Sequence, residues 1–144
     1  MARECLAVRA RVISRRLSRL YDSALKPLEI TISQLNVLSV IENLQLAPSG
    51  RVAALLSMEI STLSRNARIM QKQGWITIER AEHGNGRILA LTPSGREMLN
   101  DALPAWEQAQ SEAEELLGPQ RAEDLWQLGN SLWNTGANEA ERQA

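Results

Sequence analysis

The sequence predicts a mainly α-helical protein that carries one β-hairpin. Apolar residues recur at three- and four-residue spacing through most of the chain, and this is the period of a helix. Two short runs, 75–80 and 87–91, instead have strand composition, and the segment between them holds the glycines and the asparagine that a hairpin tip needs. Prolines and glycines interrupt the helical pattern at positions 27, 48–50, 74 and 118–119, so we expect several separate helices.

Size and composition indicate one soluble globular domain. The chain has 144 residues, of which 44% are hydrophobic and 23% are charged. It has no apolar run near the ~20 residues that a membrane span needs, and no signal-peptide pattern. Because a single cysteine, Cys5, cannot form an internal disulfide, we expect a cytoplasmic protein.

Charge is distributed unevenly along the chain. The formal net charge is −1, but residues 51–90 carry six bases and three acids, whereas residues 93–144 carry three bases and ten acids. The first block is therefore +3 and the second is −7. Such an asymmetry would orient the molecule on a polyanion, with the basic block facing it.

Two helices are predicted in the first third of the chain. Residues 3–26 form a helix that Pro27 ends. It has a heptad-like apolar stripe, made of Leu6, Ala10, Ile13, Leu17, Leu20 and Ala24. The second helix has the strongest start signal in the sequence, because Thr31 and Gln34 make a capping box and Ile30 can pack on Leu35 as a hydrophobic staple. It should end near Asn43 and bury Leu35, Leu38, Val40 and Ile41.

A helix-turn-helix is predicted after Pro48, with Ser49 as the N-cap of its first helix. That helix is the apolar segment 51–57, in which the small Ala53 would allow a close crossing, and the turn is 57–59. The second helix, 59–73, places one apolar face on the core; its members are Ile60, Leu63, Ala67 and Met70. Its other face carries bases and hydroxyls without an acid. Alone it is typical of a solvated basic helix, but the stop at Gly74 and the following hairpin complete a winged helix.

Two further helices are predicted after the hairpin. Thr92-Pro93 starts the first, which continues to about Leu117 and which Pro104 should kink or split. Gly118-Pro119 ends it, and the last helix should run to about Trp133, before a polar tail that frays. One face of the last helix is apolar, which indicates either a partner surface or an intrachain core; its members are Leu125, Leu128 and Leu132.

Catalytic chemistry has little support in the sequence. His83 is the only histidine and Cys5 the only cysteine, so no His/Cys cluster could bind a metal. There is no glycine-rich phosphate loop, and no pairing of a nucleophile with a base stands out. We therefore expect a protein that is not an enzyme and that uses no metal and no cofactor.

The chain resembles the MarR family of bacterial winged-helix regulators. The resemblance rests on the order and spacing of four motifs, which are Ile30-Thr31-Ile32-Ser33-Gln34-Leu35, Ser61-Thr62-Leu63-Ser64-Arg65, Gly74-Trp75-Ile76 and Leu91-Thr92-Pro93-Ser94-Gly95-Arg96. It implies a winged helix-turn-helix lobe at 31–92 and a helical dimerisation region at 1–30 and 93–144. It also implies a homodimeric repressor of transcription that binds a near-palindromic operator in double-stranded DNA. A small-molecule effector would relieve repression by binding where the dimer helices meet the lobe.

The candidate DNA contacts lie on the second helix of the helix-turn-helix and on the hairpin. On the helix they are the bases and hydroxyls Ser61, Thr62, Ser64, Arg65, Arg68 and Lys72, which can reach phosphates and base edges. On the hairpin they are Arg80, Asn85 and Arg87. Related sequences commonly have Asp-Gly-Arg at the tip, where this chain has His83-Gly84-Asn85. Either Arg87 therefore reaches the DNA, or the helix carries more of the affinity.

Two alternative functions remain open. Some members of the family sense organic peroxides through a cysteine near the start of the first helix, hydrogen-bonded by tyrosines, which makes Cys5 a redox candidate. Measured from Tyr21, the only tyrosine, Cys5 lies two residues before the position where that cysteine is found. The altered hairpin tip also favours a winged-helix protein-interaction module in which DNA binding is weak or lost.

Overall fold

The computed structural model describes residues 4–44, 46–81 and 86–142, with side chains described as far as Leu132. These ranges contain a mainly α-helical winged helix-turn-helix, as the sequence predicts. The elements in chain order are α1 (Leu6–Leu25), a short 3-10 helix (Lys26–Leu28), α2 (Ile32–Leu44), β1 (Ala47–Pro48), α3 (Ser49–Leu55), α4 (Ile60–Lys72), β2 (Ile76–Arg80), β3 (Arg87–Leu91), α5 (Pro93–Leu117) and α6 (Pro119–Arg142).

The start of α2 is held by its own cap and by α1. The predicted capping box is present, because the Gln34 backbone N–H donates to Thr31 Oγ1 (3.3 Å) and the Thr31 N–H donates to Gln34 Oε1 (3.0 Å). The Ile32 N–H donates to Asp22 Oδ1 of α1 at 2.8 Å, so an otherwise unpaired donor of the first turn is satisfied by a neighbouring helix. This bond connects α1 to the winged lobe.

The buried face of α2 differs from the prediction at one position. Leu35, Leu38 and Ile41 are buried as expected, but Val40 is only half-buried and Val37 is fully buried instead. At 100° per residue, Val40 lies farther than Val37 from the centre of the stripe that faces the core.

The sheet has three antiparallel strands in the order β1-β3-β2, so the prediction of a two-stranded hairpin was incomplete. Ala47 pairs with Leu89 and Pro48 pairs with Ile88, which places the two-residue β1 on the edge of the hairpin. Pro48 is tolerated there because an edge strand does not need its missing N–H. Pro48 is also the N-cap of α3, so the prediction that Ser49 would be the cap was wrong by one residue.

The two C-terminal helices differ from the prediction in one respect each, although α5 begins at Pro93 and ends at Leu117 as predicted. Helix α5 runs without a break through Pro104, so the expected split is absent. Helix α6 continues to Arg142, beyond the end predicted near Trp133 and through most of the tail that was expected to fray. Gly118, at a φ of 80°, separates the two helices where Gly118-Pro119 predicts a break.

One hydrophobic core joins the lobe to α1 and α5. Its fully buried members come from α1, α2, α3, α4, the sheet and α5. They include Leu25, Leu38, Val52, Leu63, Met70, Ile76, Leu89 and Ala102. The winged lobe and the adjoining halves of α1 and α5 are therefore one packed unit. The first part of α1 and the exposed face of α6 lie outside this core.

Candidate nucleic-acid interface

The turn between α3 and α4 is closed by backbone hydrogen bonds. The Ser57 N–H donates to the Ala54 carbonyl at 3.1 Å, and the Met58 N–H donates to the Ala53 carbonyl at 2.8 Å. This is the helix-ending motif that normally uses glycine, but here Ser57 adopts the left-handed conformation, with a φ of 48°. Ala53 is buried under this turn, as the predicted close crossing requires.

Helix α4 presents a basic and hydroxyl-bearing face to solvent. Leu63, Ala67 and Met70 are buried, so they hold the helix on the lobe. Half a turn away, four of the predicted contacts are exposed, namely Ser61, Arg65, Arg68 and Lys72, whereas Thr62 and Ser64 are half-buried at the edge of this face. We call these six residues the reading face; they are Ser61, Thr62, Ser64, Arg65, Arg68 and Lys72. Arg65 Nη2 donates to Thr62 Oγ1 at 3.3 Å, which orients the guanidinium along the helix.

Ile60 does not belong to the buried stripe where the sequence placed it. Its side chain is 51% exposed. Ile60 is the first residue of α4 and lies beyond the part of the helix that packs on the core. The start of α4 therefore projects from the lobe, with an apolar side chain next to the reading face.

The end of α4 is joined to the wing and to α5 through Thr92. Gly74 has a φ of 79° and ends α4, as predicted. Thr92 Oγ1 donates to the Gly74 carbonyl at 2.6 Å and accepts from the Gly95 N–H at 3.0 Å, so the same hydroxyl also caps α5. A Cβ on Gly95 would lie 2.1 Å from the carbonyl oxygen of Trp75, and this close approach explains the glycine in the Thr-Pro-Ser-Gly motif.

The middle of α4 is joined to α2 by a side-chain hydrogen bond that the sequence did not reveal. Asn66 Nδ2 donates to Ser33 Oγ at 3.2 Å, across 33 residues of sequence. Ser33 lies in the first turn of α2, directly after the residue that Asp22 of α1 holds. The reading face is therefore positioned at its centre by α2 and at its end by Thr92.

The wing strands place two arginines opposite one another. Arg80 pairs with Arg87 across β2 and β3, and both are exposed. Directly opposed residues share a face of the sheet, so the wing presents two guanidinium groups on one face. A cleft of about 520 Å³ lies between these arginines and Gln71 of α4. The predicted contact Asn85 and the rest of the His83-Gly84-Asn85 tip lie outside the described residues.

Neither a search of protein-family models nor a search of curated proteins gives a match. Solved structures do match. The transcriptional regulator MosR from M. tuberculosis, solved in complex with DNA, is 30% identical, and the match covers 90% of this chain and 96% of MosR with a TM-score of 0.76. A mutant of MarR from E. coli, complexed with operator DNA, is 20% identical over 88% of this chain and 92% of MarR, with a TM-score of 0.75. CouR from Rhodococcus jostii, bound to p-coumaroyl-CoA, is 14% identical over 92% of this chain and 94% of CouR, with a TM-score of 0.76.

The chain belongs to the MarR family of winged-helix transcriptional regulators. The solved structures that it resembles are regulators rather than enzymes. Among the described residues of this MarR-family chain, no group of three His, Cys, Asp or Glu side chains comes together as a metal site would need. None of its described helices combines the length and the apolar character needed to cross a bilayer.

The MarR-family chain exposes large apolar side chains on its first and last helices. On α1, Leu6 is 83% exposed, and Val8, Val12 and Ile13 are exposed as well. On α6, Trp126, Leu128 and Leu132 are 58–66% exposed. Leu125 is half-buried. We call these residues of α1 and α6 the apolar terminal surface. Large apolar side chains that are exposed together in this way are typical of an interaction site.

A cleft of about 440 Å³ lies where α1 meets the winged lobe. We call it the α1–α2 cleft; it is lined by Ser14, Leu17, Ser18, Tyr21, Ile32, Ser33, Asn36, Leu56 and Met58. The Tyr21 hydroxyl donates to Gln110 Oε1 of α5. Burial, reinforced by the Glu114 carboxylate, raises the pKa of Tyr21 above its ordinary value.

The redox candidate Cys5 is exposed at the N-cap of α1. Tyr21 lies sixteen residues further along the same helix, which at 1.5 Å per residue is about 24 Å away. The tyrosine of the same chain is therefore too far away to hydrogen-bond the Cys5 thiol.

Proposed function

We propose that this chain is a homodimeric, sequence-specific DNA-binding regulator of transcription, acting as a repressor that a small molecule releases. The observation that carries the proposal is the reading face, because an exposed row of bases and hydroxyls on a helix anchored by its opposite face is what major-groove recognition needs. The 30% identity to MosR, a regulator solved in complex with DNA, supports the same function. Such a regulator works in the cytoplasm and has no enzymatic activity.

On DNA, helix α4 and the wing contact different parts of the duplex. Ser61, Thr62, Ser64, Arg65, Arg68 and Lys72 of the reading face enter the major groove, where arginine can bind guanine bidentately. Arg80 and Arg87, opposite one another on the wing, contact phosphates beside the groove. Asn85, the third contact predicted on the hairpin, is proposed to bind DNA as well.

The apolar terminal surface pairs with the same surface of a second copy. Residues 1–30 and 93–144 then form the dimerisation region, and residues 31–92 the DNA-binding lobe. The charges agree with such a pairing, because residues 1–29 carry seven bases and three acids and residues 93–144 carry three bases and ten acids. Two reading faces in one dimer would address half-sites about 34–36 Å apart.

The effector binds in the α1–α2 cleft, because this cleft touches both the dimerisation region and the lobe. Its volume of about 440 Å³ is within the usual range for small-molecule sites. CouR, bound to p-coumaroyl-CoA, is a neighbour of the same fold. Binding in the cleft would change the spacing of the two reading faces.

The proposal is tested with the duplex that genomic footprinting of the purified protein recovers. Arg65→Ala should weaken binding by about 5- to 150-fold if Arg65 reads a base edge, as measured by fluorescence anisotropy at physiological salt. Arg121→Ala, an exposed arginine of α6 outside the reading face, is the matched control and should bind like the parent. If the parent recovers no preferred duplex, the proposed function fails. If both variants bind equally well, Arg65 is not part of the interface.

A second candidate, redox regulation through Cys5, is favoured by one observation. The thiol is exposed at the N-terminus of α1, beside the apolar terminal surface, where a bulky oxidised form would disturb pairing of the two copies. Within one chain no tyrosine is near enough to assist it, so the effector-bound regulator remains the first proposal.

A further inference from the structure

The α1–α2 cleft has the chemistry of a site for uncharged molecules. Four of its lining residues contribute hydroxyls, Asn36 contributes an amide, and the other four are apolar, while no charged side chain is among those that the structure places in its wall. An ionised ligand would lose hydration there without a counter-ion from these residues. A ligand with an apolar body and one or two neutral hydrogen-bonding groups would lose much less.

One of these hydroxyls is shared with the reading helix. Ser33 lines the α1–α2 cleft and accepts the hydrogen bond from Asn66 at 3.2 Å. The first turn of α2 is also tied to α1, through the Ile32 N–H and Asp22 Oδ1 at 2.8 Å. A ligand that turns the Ser33 hydroxyl towards the cleft would therefore break the contact that positions the middle of α4.

We propose that the α1–α2 cleft binds an uncharged, hydrogen-bonding molecule, and that this molecule acts by taking the Ser33 hydroxyl from Asn66. The inference rests on the proposed function and specifies the ligand class and the contact that transmits its binding. When the ligand occupies Ser33, Asn66 loses its partner and the centre of α4 is no longer fixed relative to α2. The reading face can then adopt more than one orientation. Only one of these orientations fits the DNA, so the affinity for the duplex falls.

The size of the effect follows from the contact. A neutral hydrogen bond of this kind changes an equilibrium by about two- to twelvefold. Loss of the Ser33–Asn66 bond should therefore weaken duplex binding by a factor in that range for each reading face.

A double-mutant cycle tests the transmitting contact without a ligand, because Ser33→Ala imitates a ligand that has taken the hydroxyl. Ser33→Ala should weaken binding to the footprinted duplex about two- to twelvefold, and it should have less than about a twofold effect when Asn66 is already alanine. Ser39→Ala, which removes an exposed hydroxyl of α2 outside the cleft, is the matched control and should leave affinity unchanged in both backgrounds. A bond that served stability alone would lower the melting temperature without changing affinity, and that result overturns the proposal. Equal losses in both backgrounds overturn it as well.

A tethered probe tests the ligand class. In a Cys5→Ser background the chain has no other cysteine, so Ser18→Cys introduces one thiol into the cleft wall. Iodoacetamide and iodoacetate both alkylate this thiol and release iodide. The two adducts have nearly the same shape, but the iodoacetamide adduct is neutral and the iodoacetate adduct is a carboxylate. The carboxylate adduct should melt at least about 2 °C below the neutral adduct. Equal melting temperatures, or a more stable carboxylate adduct, would show that the cleft does not select uncharged groups.

The proposed function and the proposed role of the Ser33–Asn66 contact are contradicted by different results. If the parent protein bound no duplex, the proposed function would fail, and the Ser33–Asn66 contact would be read from the amide resonances of α4 instead. Ser33→Ala should shift those resonances and Ser39→Ala should not. If duplex binding is present and the cycle shows no coupling, only the transmitting contact is wrong.

Discussion

Replacing Thr92 by valine removes one hydroxyl that joins the reading helix, the wing and α5. The side chain keeps its shape, so the change isolates two hydrogen bonds, one donated to the Gly74 carbonyl at 2.6 Å and one accepted from the Gly95 N–H at 3.0 Å. Loss of an N-cap bond costs about 1 kcal/mol, and loss of a neutral hydrogen bond to an exposed carbonyl costs about 0.5–1.5 kcal/mol. We expect Thr92→Val to lower the free energy of unfolding by about 2 kcal/mol.

This loss is large enough to measure by thermal unfolding. For a chain of 144 residues the entropy of unfolding is about 0.3 kcal/mol/K, so a loss of about 2 kcal/mol lowers Tm by about 7 °C. Tm is compared at equal protein concentration, because self-association makes it concentration-dependent. Thr92→Ser keeps the hydroxyl and should lose less than half as much. Thr77→Val, at an exposed position of β2, is the matched control for the same chemical change and should be nearly neutral.

A Tm of Thr92→Val within about 2 °C of the Tm of Thr77→Val would contradict this expectation. That result would mean that neither bond contributes to stability, and that Thr92 is retained in the motif for another reason. If instead stability falls but Thr92→Ser falls equally, the methyl group and not the hydroxyl carries the effect.

Three further predictions concern the backbone, the terminal surface and the cysteine. Gly74→Ala should destabilise the protein by about 1 kcal/mol because residue 74 has a φ of 79°. Gly50→Ala is the control and should be neutral or stabilising in the same unfolding assay, because Gly50 is at a helical position and no atom lies within 4 Å of the new Cβ. Leu128→Glu combined with Leu132→Glu should weaken self-association about a thousandfold or more, because these side chains are 58% and 66% exposed in one chain and four of them would be buried in a dimer. An unchanged mass by light scattering at micromolar concentration would contradict this prediction. Cys5→Ser should leave the parent's response to peroxide unchanged, and release of DNA by mild oxidation in the parent but not in the variant would make redox control the first candidate.

The parts of this protein that could be predicted from the sequence depend on interactions within a few residues. The capping box of Thr31 and Gln34, the stop at Gly74 and the start at Thr92-Pro93 each act within one helical turn, so their residue types alone reveal them. The apolar spacing of Leu63, Ala67 and Met70 likewise places the bases of α4 on its exposed face before any neighbour is known. Most of the reading face follows from these local rules.

Other features were decided only when distant segments packed together. Strand β1 exists because Ala47 meets Leu89, although two residues carry too little pattern to predict a strand. Ser33 and Asn66 are 33 residues apart, and Tyr21 and Gln110 are 89 apart, so no local spacing indicates that they bond. The helical period gives the direction in which each side chain leaves its own helix, but it does not tell what lies opposite. For this reason the exposure of Ile60 and the composition of the α1–α2 cleft required the tertiary structure.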